Sequence, residues 1–522
     1  MQRFRIKIFT QYLWLALFVV LLRVAFRMVF DAFDLDTAVR AITDGLQLAA
    51  WVLAFGLLNA IVDFRKLLPR SPKLLKNFAT SLNIALTLAP ELARSVNRVK
   101  GAGKLRAKRR GFRLLQSLVI PVLSNAIDQA VDLGDSMQGR GFGRGSQAPE
   151  TSNEILLKNV SFGYRSERPV FKDLDLHIKP GQLVVITGDT GSGKSTLLKV
   201  IQAHVPGSVY VNQFPRRGFL ADTVFDELAF GLRQKEENVG LVKQAVSETA
   251  KQFGLLPLLA EDPQTLSAGW QQRVAIASAV CSGSKVLLLD EPLSALDDEA
   301  CQLFLETLKK MKLQAITAVI AEHRLDELEP VSDRVLTLAN GQLSKWAVAK
   351  NKLTPRVSPA GNVLVLLGSN GSGKTTRLRK LAESGGVLVP QPASDLLYLN
   401  SVGEELRQAD LDANQPSGTT ASLFSKFGHG IDLGKNPRDL SEGQKLSLAI
   451  SIQLVKKAKQ LLLDEPTLGF DTQSRQLLTD TIYEISLTGI EVIVATHDLE
   501  FARAIANKTE QLERREALDA HK

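Results

Sequence analysis

Two glycine loops of the same pattern stand in this chain, GDTGSGKST at Gly188–Thr196 and GSNGSGKTT at Gly368–Thr376. The first follows the apolar run LVVIT and the second follows VLVLL. An apolar strand, a glycine loop and a helix, in that order, form the setting a phosphate-binding loop requires. Glycines let successive backbone N–H groups turn onto phosphate oxygens at a helix N-terminus. One such loop could be a turn without a ligand. Two in register leave that reading little room.

The ligands this implies are ATP and Mg2+. In the first loop Gly188, Asp189, Thr190, Gly191, Ser192, Gly193 and Thr196 line the cradle. Lys194 reaches the β and γ phosphates, and Ser195 ligates Mg2+. The second loop supplies Gly368, Ser369, Asn370, Gly371, Ser372, Gly373 and Thr376, with Lys374 and Thr375 in the two special roles. Downstream, VLLLDEP and LLLDEP are apolar strands ending in paired acids. Asp290 and Asp464 complete the Mg2+ ligands, and Glu291 and Glu465 polarise the attacking water as general bases. Paired acids can also merely open a helix, but the loops upstream favour chemistry. His323 and His497 follow apolar strands and can contact the γ phosphate. A lone histidine is more often structural.

Matched spacing answers that objection. Gly188, Gln213, Ser267, Asp290 and His323 recur in order as Gly368, Gln391, Ser441, Asp464 and His497. Serine to aspartate spans 23 residues in both halves, and aspartate to histidine spans 33 in both. A duplicated domain is expected over 154–345 and 346–522, each an α/β P-loop NTPase with short apolar strands alternating with helices.

Between loop and acids stand LSAGWQQR (Leu266–Arg273) and LSEGQK (Leu440–Lys445). Both resemble the LSGGQ signature of ATP-binding-cassette ATPases. Gln213 and Gln391 match that family's Q-loop, and SALD (Ser294–Asp297) and LGFD (Leu468–Asp471) resemble its D-loop. The resemblance implies ATP hydrolysis between paired cassettes, each signature capping the nucleotide on the other. Ser267 and Gly269 would serve one site, and Ser441, Gly443 and Gln444 the other. The first loop then meets the intact signature and has Tyr164 where the family stacks an aromatic on adenine. The second meets a signature altered by Ala268 and Trp270. Few residues separate Lys345 from Val363, so the adenine-stacking strands look shortened. Trp346 is the sole aromatic candidate there, and a packing role closing the first domain suits it equally.

Composition bounds the remainder. Hydrophobic residues make up 45% and charged residues 23%, which is ordinary for folded protein. A net charge of +9 favours an anionic partner. Cys281 and Cys301 have neither metal-ligand nor disulfide-framework spacing and read as reduced thiols. Ile8–Phe30 and Leu46–Val62 are close to the roughly 20 apolar residues of a membrane span. A cleaved signal fits poorly, since arginines interrupt the first stretch and no small-residue cleavage site follows. Loop charges then place the amino end and everything after Arg65 in the cytoplasm. The stretch from Arg94 to Arg113 holds nine basic residues, no acid and no aromatic before Phe112, and suits anionic lipid better than nucleic acid. An amphipathic helix is expected over Leu114–Met137, interrupted by Pro121, with a linker over 139–153.

SLVIPVLSNAIDQAVDLGDSMQGRGF (Ser117–Phe142) resembles the coupling region of the T component in energy-coupling factor (ECF) transporters. Leu86–Gly103 and Ile42–Ile61 resemble an earlier coupling motif and a span of that component. The resemblance makes 1–138 a transmembrane and coupling-helix segment, an α-helical membrane element ahead of the two ATPase domains. Arg140 would be the coupling arginine. Lys100 would be a weaker analogue, since ammonium lacks the bidentate fork. It also implies a small substrate-binding membrane subunit, a further T-type subunit to supply missing spans, a vitamin or transition-metal ion as cargo, and residence at the cell membrane with the ATPase domains cytoplasmic. Nucleic acid is not an expected partner. A soluble double-cassette translation factor acting on ribosomes is the alternative, although that group joins its cassettes by a long charged arm. An exporter needs more spans than this chain can supply. From the unequal motifs, Glu291→Gln should abolish most ATPase while Glu465→Gln leaves more; equal losses of steady-state turnover would refute the asymmetry.

Overall fold

The computed structural model describes residues 153–512 except 165–168, 236–237, 295, 347–352 and 428–429, together with 43, 46–47, 49–50, 101, 127, 130–131, 133–137 and 140. The expected spans therefore fall almost wholly outside the described residues, and Lys100 does so entirely. Among the described residues no helix is long and apolar enough to cross a membrane. The chain divides into two compact units, Met1–Pro90 and Glu91–Lys522, and the second holds everything below.

The first α/β domain opens with an antiparallel pair, β1 (Ile155–Phe162) and β2 (Phe171–Ile178). Then come β3 (Leu183–Thr187), α1 (Lys194–His204), β4 (Val209–Val211), α2 (Val224–Lys235), α3 (Val239–Phe253), α4 (Ala268–Cys281), β5 (Val286–Asp290), α5 (Asp298–Leu313), β6 (Thr317–Ala321), α6 (Leu325–Leu328), β7 (Arg334–Ala339) and β8 (Gln342–Lys345). The main sheet runs β4-β5-β6-β3-β7-β8, parallel except for β8. Continuous apolar runs such as VLLLD and TAVIA are buried at every position, as strands covered on both faces must be. Alternate residues serve opposite faces. Val185, Leu289 and Ile320 pack with Phe253 and Phe304, while Val184, Leu288 and Val319 pack with Phe171, Leu197 and the antiparallel pair.

The second domain repeats the plan with β9 (Val363–Leu367), α7 (Lys374–Glu383), β10 (Val387–Val389), α8 (Val402–Asp412), α9 (Thr419–Phe427), α10 (Glu442–Leu454), β11 (Gln460–Asp464), α11 (Thr472–Leu487), β12 (Glu491–Thr496), α12 (Leu499–Ile505) and β13 (Lys508–Gln511). Its sheet, β10-β11-β12-β9-β13, is wholly parallel. In both sheets the strand feeding the glycine loop neighbours the strand before the histidine, which neighbours the strand ending in the acids. All three chemistries therefore emerge along one carboxyl edge, where open α/β sheets bind ligands.

Among the described residues one element is absent rather than shortened. Nothing among the described residues of the second domain corresponds to β1 and β2. The connector instead runs along α11 and α12: Thr354 N–H donates to Gln476 Oε1 (2.7 Å), Arg356 N–H to Ala504 O (2.7 Å), and the Asn362 amide to Ser486 O and Ile490 O. Trp346 N–H donates to Val335 O (3.3 Å), so this residue finishes the first domain.

The two signature helices also pack differently. A Cβ on Gly269 would lie 2.8 Å from Ala300 Cβ and 3.1 Å from its Cα, whereas one on Gly443 would meet nothing nearer than 3.8 Å. Gly269→Ala must push α4 off α5 and should cost about 1–3 kcal/mol, the usual penalty for overpacking. Gly443→Ala should unfold at close to the parent temperature, and thermal unfolding of the two variants checks the contrast.

Candidate active sites

Both loops present buried polar groups to an anion. Gly193 (φ 100°) and Gly373 (φ 91°) cap α1 and α7 in the left-handed region, which aims the first-turn N–H groups into the cradle. Lys194 Nζ rests on Gly188 O (2.7 Å) and Asp189 O (3.1 Å), and Lys374 Nζ on Gly368 O and Ser369 O (3.2 Å). The Ser192 and Ser372 hydroxyls are buried with no hydrogen-bond partner among the described residues. Phosphate oxygens are the acceptors such groups need.

The metal ligands meet the same test. Tyr210 donates to Asp290 Oδ2 (2.6 Å), and Asp290 Oδ1 is buried with no hydrogen-bond partner among the described residues. Thr375 Oγ1 donates to Asp464 Oδ1 (3.1 Å). Burial pushes both aspartates above the usual carboxylate range, a cost that a cation offsets. Ser195 with Asp290, and Thr375 with Asp464, form all-oxygen donor sets of the kind Mg2+ takes. Bound there, Mg2+ neutralises charge on the phosphates.

Glu291 and Glu465 occupy the same strained position. Their φ angles are 42° and 44°, left-handed values that cost a non-glycine residue about 1–3 kcal/mol and gather at functional sites. Each N–H continues its sheet, donating to Ala321 O and Ala495 O (2.8 Å each), so the bend falls just beyond the ladder. Their surroundings differ. Burial first, then the charges of Glu322 and Asp290, push the Glu291 carboxyl up to about 8. At neutral pH its proton must leave before it can act as a base. Burial raises Glu465 too, but hydrogen bonding to His497 and the charges of His497 and Lys374 outweigh it and hold that carboxyl low.

The histidines follow suit. His497 Nδ1 lies 2.9 Å from Glu465 Oε2, and Lys374 Nζ 3.0 Å from Oε1. His323 Nδ1 is 3.9 Å from Glu291 and 3.5 Å from Glu322. Burial lowers its pKa despite the acid beside it. Glu322, which sequence reasoning passed over, is fully buried and accepts N–H bonds from Leu293 (3.0 Å), His323 (2.8 Å) and Arg324 (3.2 Å). The second domain has Thr496 there.

Contacts cross between the domains. Asp471 caps α11 through Ser474 N–H (2.7 Å) and also accepts Thr190 N–H of the first loop (2.7 Å). Asp297 caps α5 through Ala300 N–H (3.1 Å) and accepts Asn370 N–H of the second loop (3.2 Å). Gly469 approaches Gln213, whose amide donates to Glu291 Oε2 (3.1 Å) and Ser294 Oγ (3.0 Å). Gln391 is exposed and makes no matching bond to Glu465 among the described contacts. Ser441 and Gln444 form a capping box at the start of α10: Ser441 Oγ accepts Gln444 N–H (3.3 Å), and Gln444 Oε1 accepts Ser441 N–H (3.0 Å). That leaves the Ser441 hydroxyl proton to be donated. Ser267 makes no side-chain cap, and Trp270, where the box has its glutamine, cannot return a bond to the Ser267 N–H. Tyr164 is 71% exposed, its hydroxyl 3.3 Å from Thr196 Oγ1.

Upstream, Leu133, Ser136, Met137 and Arg140 are buried at helical spacing, while Ile127 and Val131 are exposed. Arg140 pairs with Glu227, both sealed from solvent; Glu227 also accepts Leu220 N–H (2.8 Å) and Ala221 N–H (3.0 Å). Ser136 Oγ donates to Gly218 O (3.1 Å), and Asp135 lies 3.7 Å from Lys199 on α1.

Asp471→Ala deletes a helix cap, worth about 1 kcal/mol, along with the acceptor for the first loop. Asp471→Ser can still cap but is too short to hold both bonds. We expect serine to restore the unfolding temperature and not the ATPase rate; recovery of both would show that only the cap matters.

The ABC transporter family matches residues 171–294 and 357–468. A protein of Streptomyces avermitilis described as an ABC transporter ATP-binding protein is 28% identical, over 68% of this chain and 91% of that one. Among solved structures, an archaeal ribosome recycling factor, aABCE1, aligns over 68% of this chain and 87% of its own at 20% identity and a TM-score of 0.45. The cbiO1 protein of Clostridium perfringens, part of the ABC transporter complex cbiONQ, aligns over 37% of this chain and 88% of its own at 25% identity and a TM-score of 0.34. With both glycine loops, both acid pairs and both matched segments in place, the chain carries two ABC transporter ATPase domains in tandem and hydrolyses ATP with Mg2+.

Proposed function

We propose that this chain is the energy-coupling ATPase subunit of an ECF-type importer, working at the cell membrane with its ATPase domains in the cytoplasm. Its cargo is a vitamin or a transition-metal ion, captured by a separate small membrane subunit, and a further T-type subunit completes the membrane part. The observation that carries this reading is the buried ion pair between Arg140 and Glu227. It ties a helical segment upstream of the first cassette to α2, beside the turn at Pro215–Gly218 that follows Gln213. The same segment reaches Lys199 on the helix that begins at Lys194. A pull on this segment is therefore transmitted to groups around the phosphates. The apolar stretches Ile8–Phe30 and Leu46–Val62, and relatives described as transporter ATP-binding proteins, support the same reading.

The test is location and company. The full chain should pellet with membranes through a high-salt wash and co-purify with a small hydrophobic protein identifiable by mass spectrometry. Recovery with ribosomes, free of membrane, would favour the translation-factor alternative instead. Arg140→Met adds a quantitative check. Leaving Glu227 as an unpaired buried carboxylate should cost about 3–5 kcal/mol of stability. In membrane vesicles the variant should lose substrate uptake while keeping most of its ATPase. Uptake at the parent rate would remove Arg140 from the coupling path.

A further inference from the structure

Arg324 follows the histidine of the first site, yet its side-chain bonds lead away from that site's phosphates. Its Nη1 donates to Leu293 O (3.1 Å) and Leu296 O (3.4 Å), while Nη2 is tied to Glu327 Oε1 (2.6 Å). Leu293 is held at its other backbone group as well, since its N–H donates to the buried Glu322 (3.0 Å). Both leucines are themselves sealed in the core. The residue after Leu296 is Asp297, which caps α5 and accepts the Asn370 N–H of the opposite glycine loop (3.2 Å). The guanidinium therefore fixes Leu293 and Leu296, and with them the approach of Asp297 to the second site. None of its side-chain hydrogen bonds among the described residues goes to Asp290, Glu291 or the first glycine loop.

The second domain is built otherwise. Asp498 stands where the first has Arg324; it caps α12 through Phe501 N–H (3.0 Å) and has Arg475 of α11 3.5 Å away. Thr496 takes the place of Glu322, and its hydroxyl accepts Asp498 N–H (3.0 Å). None of these bonds reaches the residues that follow Glu465. Gly469 rests instead against Gln213 and Glu291 across the domain boundary. Asp471 thus comes to the first loop from a segment leaning on the other domain, whereas Asp297 comes to the second loop from a segment gripped within its own.

We propose that Arg324 is a positioning residue for the second site: by gripping the carbonyls of Leu293 and Leu296 it sets where Asp297 meets Asn370. A guanidinium suits the task, being planar, with donors in fixed directions and a charge that strengthens each bond it gives. Two carbonyls and a carboxylate held on one rigid plane leave the backbone ahead of Asp297 little freedom. Without that grip the second loop loses a fixed acceptor for one of its N–H groups. The net contribution of one such bond corresponds to about fivefold in affinity.

The test uses the full chain and a labelled, non-hydrolysable ATP analogue in equilibrium dialysis with Mg2+. Lys194→Ala leaves the second site to bind, and Lys374→Ala leaves the first. Added to Lys194→Ala, Arg324→Met should weaken binding by about fivefold. Added to Lys374→Ala, it should do so by less than about twofold. Asp297→Ala should weaken the second site to a similar extent, and Arg324→Met on top of it should add less than about twofold, because one residue acts through the other. If Arg324→Met fails to fold, Arg324→Lys replaces it. Lysine keeps a charge beside Glu327 but cannot also hold both carbonyls, so the second site should still weaken by about two- to threefold and the first should not. Equal weakening at both sites, no weakening at the second, or losses that multiply in the double variant overturn the proposal.

Discussion

Two carboxylates, Asp297 and Asp471, each bind twice: once to cap their own helix and once to hold an N–H of the opposite glycine loop. A cap fixes the carboxylate relative to α5 or α11, so each phosphate loop is positioned by the other domain's framework as much as by its own. This reciprocity brings Gly469 of one domain against Gln213 and Glu291 of the other. Whatever displaces one cassette disturbs two loops together, and turnover by either site reports on the fit of both.

Within that shared frame the electrostatics are unequal. Glu465 stands between His497 and Lys374, two donors that keep it charged. Glu291 faces Asp290 and the buried Glu322, and its histidine is drawn toward Glu322. Glu322 and Arg324 also hold the residues that follow Glu291, through Leu293 N–H and the carbonyls of Leu293 and Leu296. The first site is thus braced by a polar network that the second replaces with Thr496 and Asp498. Its base needs a local cation to reach the state that the second base already occupies.

Much of this was legible in the sequence because the parts that grip phosphate are local. A glycine loop, its lysine and its strand lie within a dozen residues, and the capping box at Ser441 is readable from its serine-to-glutamine spacing. The duplication followed from intervals alone. What escaped was set by packing between distant segments. Arg140 drew notice through resemblance, yet its partner Glu227 lies 87 residues away among many acids. Glu322 belongs to no motif of its own; burial and the N–H bonds it accepts from Leu293, His323 and Arg324 set its place. The short interval after Lys345 suggests trimmed strands; the connector's described residues instead lie along α11 and α12 and form none. Matched spacing also overstated equivalence, since Gln213 reaches its glutamate and Gln391 does not.

Joining the cassettes through 17 residues has a consequence for assembly. Fully extended, such a tether spans about 60 Å at most, so each half meets its mate at an effective concentration in the millimolar range whatever the amount of protein in the cell. Dilution cannot part them, exchange with foreign halves is suppressed, and each molecule holds one of each kind. Unlike sites can then drift apart in sequence without a mispaired, doubly weak dimer ever forming.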